Sequence, residues 1–160
     1  MIKWGDKMNW NGKDAALFQQ QKGYIDTAIV PLVPADFGAD MIRSAEQHEF
    51  IGLLVAFLER QFKGRVLVTP PHAYLPDAEL KMEGAKQWAE KLRSSGFTHV
   101  FFFTADRVWR DMDKDLEAAV IWIPSVPLGD MEDGVKYSLI ENQAKQIVNI
   151  IVGKWQENEG

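Results

Sequence analysis

The sequence predicts an α/β fold: a single layered domain with an about four-stranded, mainly parallel or mixed sheet flanked by helices. Three observations carry this. Short runs rich in Val, Ile and Phe alternate with long segments whose apolar residues recur at helical spacing. The chain has 160 residues, 46% hydrophobic and 26% charged, enough to bury a core without disulfide or metal staples. No repeat, low-complexity tract or linker divides it, so residues 1–160 read as one domain on which segment 1–23 packs.

Asp14 to Gln21 reads as a short helix closed by Gly23. Ile25 to Val33 is a strong strand, and Pro31, lacking a backbone donor, is expected to push its end to a sheet edge or a bulge. Met41 to Lys63 is a long helix with Gly64 as its C-cap, and Phe50, Leu54, Phe57 and Leu58 mark its buried stripe. Val66 to Val68 is a second strand, stopped by Thr69-Pro70-Pro71, and 69–74 reads as loop. A helix follows from Asp77, a candidate N-cap, to Ser95, with Ala85, Trp88, Ala89 and Leu92 on one face and Gly96 ending it. Thr98 to Thr104 is a strand with an unbroken apolar centre, the pattern of a strand covered on both faces. The charged stretch from Asp106 to Glu117 is a short helix or a wide hairpin loop. The hairpin is the favoured reading, and it makes the next strand, Ala118 to Ile123, antiparallel. A final helix spans Val135 to Trp155 on a stripe that includes Ile140, Ala144, Ile147 and Ile151.

Composition excludes several function classes. With no cysteine there is no disulfide framework, thiolate nucleophile or Cys-ligated metal. A net charge of −5 argues against a nucleic-acid partner. The longest apolar run, Phe50 to Leu58, is about half of what a membrane span needs, so no membrane insertion is expected. The N-terminus has no apolar h-region, and together with the absent cysteines this sets a cytoplasmic expectation. No phosphate-binding loop or nucleophile elbow occurs. The carboxylates Asp111, Asp113 and Asp115 alternate like a calcium loop, but its sixth and twelfth positions are Leu116 and Trp122. His48, His72 and His99 have no ligand spacing. No metal and no cofactor is expected.

In open α/β sheets, ligands sit beyond the carboxyl ends of the strands. Those ends carry Asp36, His72, Tyr74, Asp106 and Arg107, an inventory suited to acid–base work or to binding a small molecule. The same carboxylates also suit helix and turn capping, and His72 suits a surface loop. Trp4, Trp10, Trp109 and Arg110 stand outside the apolar stripes and are the interface candidates, because Trp and Arg anchor protein contacts. Ile150 and Val152 lie off the stripe of the last helix and suggest a route to a homo-oligomer.

Lys3-Trp4, the block Tyr24-Ile25-Asp26-Thr27-Ala28-Ile29-Val30-Pro31-Leu32-Val33-Pro34, the Phe101-Phe102-Phe103 strand, Ile123-Pro124 and the last amphipathic helix resemble the YpiF-like family of uncharacterised bacterial proteins over nearly the whole chain. The resemblance implies no activity, cofactor or site residue. At the level of fold alone, the first strand, long helix and short second strand are similar to the N-terminal α/β domains of TolB-type and LpoB-type assembly factors. From the residues themselves the leading expectation is a non-catalytic domain acting through an unidentified protein partner. The alternative is a small-molecule-binding protein or enzyme using the strand-end cluster.

Overall fold

The structure is a computed structural model that describes residues 10–159. Its sheet has five strands. β1 (Thr27–Pro34) lies at the centre, β2 (Val66–Val68) and β3 (His72–Tyr74) follow one another along one of its sides, and β4 (His99–Thr104) and then β5 (Ala119–Trp122) lie on the other. Every pairing is parallel.

The helices cover both faces. α1 (Gly12–Gln20) precedes the sheet, and α2 (Met41–Gln61) and α5 (Asp133–Glu159) pack on one face. The other face carries α3 (Lys81–Ser94), α4 (Asp113–Leu116) and a short 3-10 turn at Arg107–Trp109. Strand alternation feeds both cores. Ile29, Val33, Phe101 and Phe103 face α2 and α5, whereas Ala28, Val30, Leu32 and Phe102 face α3. This two-sided burial is why β1 and β4 read as continuous apolar runs.

Several expectations are corrected. Residues 69–74 are not all loop: after Thr69-Pro70-Pro71 the chain returns to β1 as β3, with Leu32 opposite His72 and Pro34 opposite Tyr74. β5 is parallel, not antiparallel, because the charged stretch folds into the 3-10 turn and α4 and so makes a crossover. Pro31 does not place β1 at an edge. Thr69 N donates to the Ile29 carbonyl, so by alternation the nitrogen of Pro31 points to the same side. There β2 has already stopped and β3 has not begun, so the missing donor falls at a break in the neighbouring strand. α3 begins at Lys81 rather than at Asp77, and no side chain caps it. Gly64 sits three residues past the end of α2 at φ +95° and turns the chain into β2, a conformation that favours glycine.

The start of β1 is tied down by a polar cluster. Arg65 pairs with Asp26 at 3.1 Å and lies over the Trp155 ring at 3.7 Å from its centroid. The Trp155 indole N–H donates to Thr27 Oγ1 at 2.9 Å, and the Thr27 hydroxyl donates to Asp26 Oδ1 at 2.8 Å. A buried indole N–H needs such an acceptor. The Asp26-Thr27 pair of the most distinctive sequence block thus joins the first strand to the last helix.

Candidate functional site

The connections out of β1 and β4 set the site. The chain leaves β1 through α2 on one face to reach β2, then returns through α3 on the other face to reach β4. The carboxyl ends of β1 and β4 are therefore neighbours whose connections diverge, the switch point at which doubly wound folds bind ligands.

A cleft of about 200 Å³ opens there. Asp36 and Pro34 line it from the end of β1, Asp40, Arg43, Ser44 and Gln47 from the start of α2, and Asp106 and Arg107 from the end of β4. Ser44 holds the β1–α2 loop in place. Its hydroxyl donates to the Pro34 carbonyl at 2.6 Å and accepts from the Asp36 amide at 3.1 Å. Asp36 Oδ1 in turn accepts from Gly38 N at 2.8 Å, an Asx turn that leads into α2.

Asp106 is fixed from three directions. Its amide donates to Thr104 Oγ1 at 3.0 Å, its Oδ1 accepts from Val108 N at 3.1 Å, and its Oδ2 accepts the Tyr74 hydroxyl. Tyr74 is buried and its ring packs edge-on against Trp109, with centroids 5.2 Å apart. Burial, reinforced by the hydrogen bond to Asp106, raises the phenol well above its ordinary range, so Tyr74 stays protonated and a donor.

Among the strand-end residues singled out from sequence, Asp36, Asp106 and Arg107 line one cleft, and Tyr74 reaches it through Asp106. His72 does not join them. Its ring packs on Trp88 with centroids 4.9 Å apart and meets Gly84 of α3, and burial lowers its pKa. Asp36 and Asp106 do cap turns, as the capping alternative expects, and they do so while facing the cleft. Arg43 and Gln47 escaped the sequence reading because polar residues in the first turns of a helix are ordinary. Their one signal is position, at the start of the helix that follows the first strand.

The interface candidates separate. Trp109 is only 1% exposed and belongs to the core under α3. Arg110 lies over the Trp122 ring, 5.0 Å from its centroid. Trp10 is 63% exposed and borders a second cleft with Pro31, Val68 and Pro70. Trp4 lies outside the described residues. Of the two residues off the α5 stripe, Val152 packs against the core and Ile150 is exposed. Among the described residues no helix is long and apolar enough to cross a membrane, and no group of three His, Cys, Asp or Glu could hold a metal ion.

Comparison with known proteins agrees with the resemblance read from the sequence. The chain is 36% identical over 148 residues to the uncharacterized protein YpiF of Bacillus subtilis (strain 168), an alignment that covers 92% of this chain and 98% of that protein. No solved structure matches. A family model described as protein of unknown function (DUF2487) matches residues 16–155, nearly all of the architecture described above, and the chain belongs to that family.

Proposed function

We propose that the chain is a binding protein whose ligand, a small polar molecule, occupies the switch-point cleft between β1 and β4. One observation carries this reading: charged side chains from three separate segments converge there, and two of them, Arg43 and Arg107, have no ion pair or hydrogen bond among the described residues. Binding is favoured over catalysis because the hydroxyl protons at the site are already committed. Ser44 donates to Pro34, Tyr74 donates to Asp106, and the imidazole of His72 lies elsewhere. A cytoplasmic setting accompanies this reading, supported by the cysteine-free composition.

The test is titration of the ¹⁵N-labelled protein with organic acids, sugar phosphates, amino acids and polyamines, followed by amide shifts. The reading expects a compound that moves the amides of residues 35–44 and 104–108 together. Shifts confined to other regions, or no response from any compound class, would overturn it.

A second reading, contact with a protein partner, is favoured by a different observation on the same rim. Phe37, Met41, Ile42, Leu75, Leu80 and Val108 are all large, apolar and exposed, and each lies in or beside a segment that follows a strand's carboxyl end. This reading expects the double variant Phe37→Ser/Ile42→Ser to lose a co-purifying protein without altering small-molecule shifts. If the double variant keeps that protein, the rim is not the contact.

A further inference from the structure

We infer that the cleft receives an oxyanion, the carboxylate or phosphate group of its ligand, between Arg43, Arg107 and Gln47 at the start of α2. The inference rests on the binding reading above and adds the chemical class of the ligand.

Free donors outnumber free acceptors in the cleft. Two of the carboxylates facing it are already used as acceptors. Asp106 takes the Val108 amide and the Tyr74 hydroxyl, and Asp36 takes the Gly38 amide. The guanidiniums of Arg43 and Arg107 have no acceptor among the described residues, and each offers five N–H donors in a planar fork suited to an oxyanion. α2 begins without any side-chain cap, so the positive end of a 21-residue helix also faces the site.

Gln47 supplies an independent sign. Its side chain lines the cleft wall, the residue is only 6% exposed, and its Oε1 has no hydrogen-bond partner. A buried amide oxygen left without a partner is costly, and as the amide stands only a donor would remove that cost. The two ends of a side-chain amide interchange by a simple flip, so its N–H₂ can be presented to an anion. Asp36, Asp40 and Asp106 are the opposing charges, and of the three Asp40 alone has no turn or cap to hold, since it makes no cap hydrogen bond. Its presence gives the inference a test of sign.

The experiment titrates the ¹⁵N-labelled full chain with inorganic phosphate, acetate and ethanolamine, at constant ionic strength set with chloride. Phosphate, acetate or both should shift the amides of Ile42, Arg43 and Ser44. Arg43→Gln and Arg107→Gln should each weaken that response about tenfold, the size expected for one charge-assisted hydrogen bond. Asp40→Asn should tighten it about two- to threefold. Gln47→Met should weaken it while leaving the protein at least as resistant to urea as the wild type. All of these side chains except Gln47 are exposed, so their variants should fold. If ethanolamine moves the cleft amides and the oxyanions do not, the inference fails and the binding reading stands. If the oxyanions act but the arginine variants respond like wild type, the inference also fails. If none of the three probes and no compound of the broader panel moves these amides, both fail.

Discussion

Removing one oxygen, in Tyr74→Phe, tests the central contact of the site. The hydroxyl of Tyr74 is the donor to Asp106 Oδ2, and the rest of the ring is held against Trp109. Phenylalanine keeps that ring contact and deletes only the donor. Asp106 is half-buried and keeps its bond to Val108 N, so the loss lies toward the low end of the range for a bond to a charged acceptor, about 1–2 kcal/mol. For a domain of this size that corresponds to a fall in Tm of roughly 2–8 °C.

The pH dependence is the sharper readout. The phenol is raised above 10.0 in the folded protein, so the folded state holds this proton more tightly than the unfolded state does. The stabilisation is complete below pH 10 and is lost as pH rises from there toward the folded value. The loss approaches about 1.4 kcal/mol per pH unit for this one proton. Urea unfolding of wild type and Tyr74→Phe between pH 8 and 11 measures it. The difference between the two proteins should be constant up to about pH 9.5 and should then narrow, because the variant has no proton to lose at this position. Parallel curves throughout that range would refute the claim that Tyr74 is held protonated against Asp106.

The cluster at the other end of β1 makes a second prediction. Thr27→Val removes the acceptor of the Trp155 indole N–H with little change in shape, and it should cost about 1–3 kcal/mol in urea unfolding, since the donor is left buried. A loss below about 0.5 kcal/mol would show that the bond contributes nothing net. At acid pH, His72 should act through its lowered pKa. The unfolded chain takes up this proton near 6.5 before the folded chain does, so stability falls as pH drops below that value. His72→Phe, which preserves a ring against Trp88, should flatten this part of the acid limb, and an unchanged limb would dissociate His72 from it.

The layered architecture was legible because β1 and β4 are covered on both sides. A run such as Phe101-Phe102-Phe103 has no polar face to turn toward water, so a strand that carries it must be buried from above and below. β3 was not legible, since three residues after two prolines carry no period, and its pairing is set by the break opposite Pro31. The direction of β5 was missed for a similar reason. Asp106 to Glu117 is too charged to show an apolar stripe, yet Trp109 and Leu116, with Met112 partly buried beside them, dock it under α3. Burial of those two side chains stabilises by several kcal/mol on ordinary scales, more than exposed charges oppose. The strand-end cluster was legible in part. Position along the chain identified Asp36, Asp106 and Arg107, but the break that brings β3 back beside β1 turns His72 toward α3 and Tyr74 toward Asp106.

The capping role of these carboxylates and their place in the cleft follow from one another. A loop that lines a ligand site must be held in one conformation before the ligand arrives, or the ordering cost is subtracted from affinity. Asp36 holds the β1–α2 loop through Gly38, with Ser44 bridging its two sides, and Asp106 holds the turn after β4 through Val108 and Tyr74. Each of these contacts consumes an acceptor. What the rigid loops leave facing the cleft is an excess of donors, on Arg43, Arg107 and the uncapped start of α2, with an unpartnered amide at the wall. Structural use of Asp36 and Asp106 takes up acceptor positions but leaves their charge, so these two and Asp40 all oppose an anion, and Arg43 and Arg107 must outweigh the three of them for one to bind. On this account Tyr74→Phe should also weaken oxyanion binding, because an Asp106 released from its donor would compete for Arg107. An unaltered anion response in that variant would separate the rigidity of the loop from the charge of the site.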